Sequence, residues 1–178
     1  MHPRKIIRDA AVALLANAGT AAGKRVTPTR IDPHKRAELP ALSIYTLSEQ
    51  TDAEDADTAP RELWRTLKLE IAGWVAHSAA LPADDALDDL AEQIETAMEA
   101  DRYLGGAAGE SILASTEITI RDDGDPLVGI ITLTYDVLYR TSPAAPDNLD
   151  DFLRAGATTK LGDVTVDNAA NNVIQVRP

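Results

Sequence analysis

Apolar residues recur over positions 3–18 at the spacing of a helix. Ile6, Ile7, Ala10, Ala11, Leu14 and Leu15 fall on one stripe, and Gly19 follows as a stop. Pro3 suits the first turn, where a missing N–H costs nothing. Pro28 and Pro33 then make Val26–Leu39 a short edge strand running into a loop, and Pro40–Leu47 reads as a strand. Leu63, Leu67, Leu69 and Ile71 alternate with Trp64, Thr66, Lys68 and Glu70, the period of a long strand with one buried face. Pro82 with Asp84 and Asp85 opens a second helix, since acids in the first turn favour the helix dipole. Its stripe is Leu87, Leu90, Ala91, Ile94, Ala97 and Met98, ending near Asp101. Gly105, Gly106 and Gly109 punctuate the connection beyond it. Ile118 and Ile120, then Ile131, Leu133, Tyr135, Val137 and Tyr139, alternate with polar residues on either side of Asp122-Asp123-Gly124-Asp125-Pro126. Two such runs around an Asp-Gly turn predict a β-hairpin.

This order of elements predicts an α+β fold, with two main helices packed on a largely antiparallel β-sheet that carries a long hairpin. The 178 residues sit at the upper end of one ordinary domain, and aromatic side chains make up only 4%. The core is therefore built from Ala, Leu, Ile and Val. The domain is expected over residues 1–141. Pro143 and Pro146 open a C-terminal extension over 142–178, read as an arm or added strands. Within it, Gly162–Val166 and Val173–Val176 are short β-like runs.

Twenty-nine acids against 17 bases leave a net charge of -12, which argues against DNA binding, where Lys and Arg must replace the counterions on phosphates. The chain has no cysteine, so disulfides, thiolate catalysis and Cys-type zinc sites are excluded. The opening Met1–Asp9 is not a signal peptide, because Arg8 and Asp9 break its apolar run. No stretch has the roughly 20 apolar residues of a membrane helix. A soluble protein of the cytoplasm, with no membrane partner, is expected.

Candidate chemistry is sparse. Gly19–Arg25 is one residue short of a phosphate-binding loop and has Arg25 where Ser or Thr belongs, so it reads as a helix end and turn. His2, His34 and His77 are isolated and read as exposed terminus or loop residues rather than ligands. Asp122, Asp123 and Asp125 resemble part of a cation loop but lack its closing Glu, and read as an acidic turn. Trp64 and Trp74 read as core or interface residues. Residues 49–60, with Glu49, Asp52, Glu54, Asp55 and Asp57 among Ala and Thr, read as a solvated loop or, less simply, as an acidic functional surface. No enzyme, metal site or cofactor is expected.

The succession of an N-terminal helix, Leu39-Pro40-Ala41-Leu42-Ser43-Ile44-Tyr45, an acidic loop and Trp64–Ile71 is distinctive. It is followed by a helix around Asp89–Asp101 and the hairpin from Arg121-Asp122-Asp123-Gly124-Asp125 into Leu133–Tyr139. Over residues 3–141 this order resembles the tail terminator proteins of phages with long, non-contractile tails, the minor tail protein U family. The resemblance implies a structural virion protein, a ring-forming subunit that closes into a homo-hexamer. Such a ring caps the tail tube at its proper length, ends tail polymerisation and presents a surface for head–tail joining. It further implies as partners a tail tube protein and a head–tail connector protein, and DNA that passes through the ring without specific binding. The protein would assemble in the host cytoplasm, from a phage or prophage genome, and end at the head-proximal end of the virion tail. The extension after Thr141 departs from the shorter family members.

A negative ring lumen would repel DNA phosphates and keep them from sticking. Asp52, Glu54, Asp55 and Asp57, or the turn Arg121, Asp122, Asp123 and Asp125, are therefore expected to face the lumen or the tube. The nearest alternative is another phage neck or tube component, such as a head–tail joining protein. Further alternatives are a small hydrolase or isomerase using His34 with the Asp122–Asp125 turn, and a dimeric module whose Gly105–Gly109 connection closes over a small ligand.

Overall fold

The structure, a computed structural model, describes residues 1–32, 34–52, 62–76, 82–121 and 128–142, with Arg121 described for its backbone alone. The chain divides into the units Met1–Pro143 and Ala144–Pro178, and all described residues belong to the first.

Helix α1 spans Pro3–Asn17, with Pro3 in its first turn. His2 caps it, Nδ1 accepting from the Arg4 backbone N–H at 3.2 Å. Ile7, Ala11 and Leu15, one helical turn apart, are fully buried beneath it. Strand β1, Val26–Pro28, is short and ends on a proline that cannot donate to a ladder. Strand β2, Ala41–Thr51, runs parallel to it, with Val26 opposite Leu42. Strand β3, Leu63–Ala76, is the centre of the sheet. Helix α2 covers Ala83–Ala100, and β4 (Glu110–Arg121) and β5 (Val128–Thr141) form the antiparallel hairpin. The five strands lie in the order β1-β2-β3-β5-β4, antiparallel at every pair but the first. The fold is the α+β arrangement that the periodicity predicts.

One face of the sheet is apolar and both helices cover it. Leu67, Leu69, Ile71 and Val75 of β3 meet Leu42 and Ile44 of β2, Ile131, Leu133 and Val137 of β5, and the helix stripes in one cluster. Contact is close above the middle of the sheet. A Cβ on Gly73 would stand 2.9 Å from Leu90 Cδ2, and one on Gly129 would stand 2.9 Å from Leu87 Cδ1. These two glycines let α2 settle onto β3 and β5, an approach any larger residue would hold off.

The opposite face is polar along its middle, at Lys68, Glu70, Thr132, Thr134 and Asp136, with Trp64, Leu138 and Ile112 toward one end and Trp74 toward the other. There residues 29–32 and 34–40, with a 3-10 turn at Arg36–Glu38, lie against the sheet. Tyr45 donates its hydroxyl to the Arg30 carbonyl at 2.8 Å, and the His34 ring packs against Trp74 with centroids 5.5 Å apart. Sequence reasoning expects His34 on an exposed loop. The structure corrects this, because its side chain is only 3% exposed.

Candidate assembly surface

Of the predicted acidic site, Asp52 is described. It lies exposed just past β2, its backbone N–H donating to the Trp64 carbonyl at 3.0 Å. Arg121 closes β4 opposite Val128. Glu54, Asp55, Asp57, Asp122, Asp123 and Asp125 lie outside the described residues, as does His77. The 142–178 extension does too, apart from Ser142.

Glu49 does not belong with that solvated stretch. It is part of β2 and its side chain is only 9% exposed. One carboxylate oxygen accepts from Arg65 and the other from the Tyr139 hydroxyl, while Arg4 Nε of α1 stands 3.7 Å away. Arg65 Nε in turn donates to Thr141 Oγ1 at 2.9 Å. Burial alone would push the Glu49 carboxyl up, but the bonds from Tyr139 and Arg65 outweigh it and hold it below its ordinary value. The Tyr139 hydroxyl is pushed up to about 12 by burial and by the carboxylate it faces. The cluster ties β2, β3, β5 and the start of α1 together at one end of the sheet. Its polar groups serve each other, which makes it a brace rather than a ligand site.

A second polar group lies on the opposite face. His34 Nε2 stands 2.8 Å from Ser43 Oγ, and His34 Nδ1 stands 3.8 Å from Glu38 Oε2. The order serine, histidine, carboxylate is that of a nucleophile with its base. However, Ser43 is fully buried in the interior of β2, so no substrate reaches its oxygen. The Nδ1–carboxylate separation is also too long for a hydrogen bond. Nδ1 and the nearby Trp74 Nε1 are both buried without a hydrogen-bond partner among the described residues. Burial, reinforced by Arg30, holds the imidazole below its ordinary pKa and so in its neutral form at pH 7. The residues secure the stretch 34–40 to the sheet.

The remaining tryptophan, Trp64, is 38% exposed, and the Arg140 guanidinium lies 4.6 Å above its ring. The two are cross-strand partners on β3 and β5.

The feature that is not self-contained is the outer edge of β4. Ile118 and Ile120 share the helix face with Ile131 and Gly129 opposite them, yet each remains about half exposed because the helices do not reach that far. Ile112 and Leu113 are exposed nearer the start of the strand. The register shifts between Leu113 and Ser115, a bulge that re-aims the side chains at mid-strand. Between this half of β4 and the C-terminal half of α2 lies an open groove of 880 Å³. Met98, Leu113 and Tyr135 form its apolar part, and Glu95, Glu99 and Glu110 its rim. Burial, then Glu95 and Glu99, push the Tyr135 hydroxyl well above its ordinary value, placing both carboxylates in the field of the groove. Arg102 pairs loosely with Glu99 at 4.0 Å and Glu110 at 3.8 Å. Long, exposed apolar edge strands are what soluble proteins usually blunt or cover. Sequence patterning missed the reach of β4, because Glu110–Thr116 lacks strict alternation and its bulge breaks the period.

Among the described residues no group of His, Asp or Glu is placed to hold a metal ion. No described helix is long and apolar enough to cross a membrane. No family model matches the chain, and no curated protein matches it in sequence. Among solved structures it is similar to a chain of the virion of a native gene transfer agent particle, at 13% identity. The match covers 71% of this chain and 86% of that one at a TM-score of 0.29, a likeness too distant to show a shared fold.

Proposed function

We propose that this chain is a structural, non-enzymatic subunit of a phage or phage-like virion. In this reading, six copies close into a ring that caps the tail tube when it reaches its length and then meets the head connector. The observation that carries it is the edge of β4, which no other described strand pairs, with Ile112, Leu113, Ile118 and Ile120 exposed along it. Such a surface belongs to a subunit whose sheet is completed by assembly, and a closed ring covers every copy's edge. The resemblance of the sequence to the tail terminator family over residues 3–141 is what suggests the finer reading. An excess of acidic residues suits a ring through which DNA passes without being held.

Deleting the gene from the particle-producing genome and imaging the particles tests the reading. Heads without tails, beside tubes of uncontrolled length, are expected. Normal tails joined to heads would overturn it.

A further inference from the structure

The α2–β4 side of the sheet is predominantly acidic and the β1–β2 side predominantly basic. At the β4 edge, α2 has no base between Ala83 and Ala100, and Asp84, Asp88, Glu95 and Glu99 recur at helical spacing along it. Glu95 and Glu99 line the groove described above. Toward β1 and β2, Lys24, Arg25, Lys35 and Arg36 are all exposed, against the exposed Asp32 of the same segment. Among them stands Ile31, 93% exposed, the most exposed large apolar side chain among the described residues. It projects from a segment that is firmly held. Tyr45 binds the Arg30 carbonyl beside it, and Arg30 Nη2 pairs with Glu38 at 2.7 Å.

These features cannot satisfy each other within one chain. The Ile31 segment is anchored to β2 through Tyr45 and Ser43, and β4 lies three strands further on, about 14 Å away at the usual strand spacing. They also lie on opposite faces. Tyr45 and His34 hold the Ile31 segment on the side of the sheet away from the helices, whereas the groove is walled by α2.

The geometry points to a head-to-tail contact between copies, in which Ile31 of one chain enters the α2–β4 groove of the next. Lys35 and Arg36 then face Glu95 and Glu99. The contact names the surfaces of the proposed ring and rests on that reading only in requiring that copies of this chain meet. An apolar anchor inside a charged rim is the usual anatomy of a specific interface. Because the two surfaces differ, the contact is heterologous, and it leaves one free groove and one free Ile31 on any open chain of copies. Closure removes both.

The test uses the full chain, with sedimentation velocity at two concentrations and two salt levels. Ile31→Asp is expected to weaken self-association at least tenfold. The double variants Lys35→Glu with Arg36→Glu, and Glu95→Lys with Glu99→Lys, are each expected to do the same alone. Mixed in equal amounts, the two reversed proteins regain assembly, since each then meets a surface of opposite charge. Should the α2 variant fail to fold, the loop variants still decide, because their side chains are exposed. Assemblies that persist in every variant overturn the interface while leaving the ring reading intact. Loss of assembly in the α2 variant alone points instead to symmetric β4–β4 pairing and also overturns it. A wild-type chain that stays monomeric at all concentrations and salts overturns the interface, whereas the ring reading falls only if gene deletion leaves tails normal.

Discussion

The Tyr139 hydroxyl of β5 donates to the Glu49 carboxylate of β2, joining two strands that are not neighbours in the sheet. β3 runs between them and contributes Arg65 to the same carboxylate. Three strands are thus fastened at one end by a single acidic side chain.

Removing that side chain's charge leaves the partly buried Arg65 guanidinium without its anion, held only by Thr141, and Tyr139 facing a neutral amide. Glu49→Gln is expected to lower stability by about 2–3 kcal/mol, measured by denaturant unfolding. Its carboxyl is held below the ordinary 4.5, so its contribution is fully present above that value and is lost as pH falls through the folded value. The wild-type protein is therefore expected to lose stability on acidification more steeply than Glu49→Gln. In the same variant the Tyr139 phenol, titrated by its ultraviolet absorbance, is expected to ionise below its native value of about 12.

Glu70 behaves in the opposite sense. It lies partly buried on the polar face, and burial, with Glu117 nearby, pushes its carboxyl above 4.5. The folded chain then holds the proton more tightly than the unfolded one. Stability from this group is present below pH 4.5 and lost as pH rises through the folded value. Glu70→Gln is expected to raise the melting temperature at neutral pH and to leave it nearly unchanged in acid.

His34 gives a third pH signature. Its pKa is depressed mainly by burial, so the unfolded chain takes up the proton first. Stability is expected to fall as pH drops below 6.5 and on through the folded pKa. Proton NMR titration of the ring, and a His34→Gln variant in which this step is missing, check it.

Gly129 tests the closeness of the helix to the sheet. Gly129→Val adds atoms where a Cβ already stands 2.9 Å from Leu87 and 3.2 Å from Val75. A loss of about 1–3 kcal/mol is expected from overpacking, read as a lower denaturation midpoint.

Ile118→Ser and Ile120→Ser change side chains that are about half exposed and lie outside the buried core cluster. They are expected to leave the melting temperature of the monomer nearly unchanged while lowering aggregation in concentrated solution, followed by light scattering.

The elements themselves were legible from periodicity. The Leu67–Leu69–Ile71 alternation, the Leu87–Met98 stripe and the Ile131–Tyr139 alternation each report a local backbone geometry that burial of one face requires. The length of β4 was hidden, because its exposed, bulged first half follows neither period. Glu49 and His34 were misread for a related reason: a polar residue in an acidic run or a proline-flanked loop shows nothing locally of the partners that will bury it. Of the predicted acidic site, only Asp52 and the backbone of Arg121 fall among the described residues.

By itself, then, the amino-acid order determined which segments form helix or strand and which face of each is apolar, since those follow from neighbours a few residues away. Tertiary structure alone decided that Glu49 would meet Tyr139 across 90 residues, that Ser43 would be closed to substrate, and that the Ile31 segment and the α2–β4 groove would lie on opposite faces of one sheet. Those outcomes depend on strand order and on how far the helices reach. Both are set by long-range packing that no local pattern encodes.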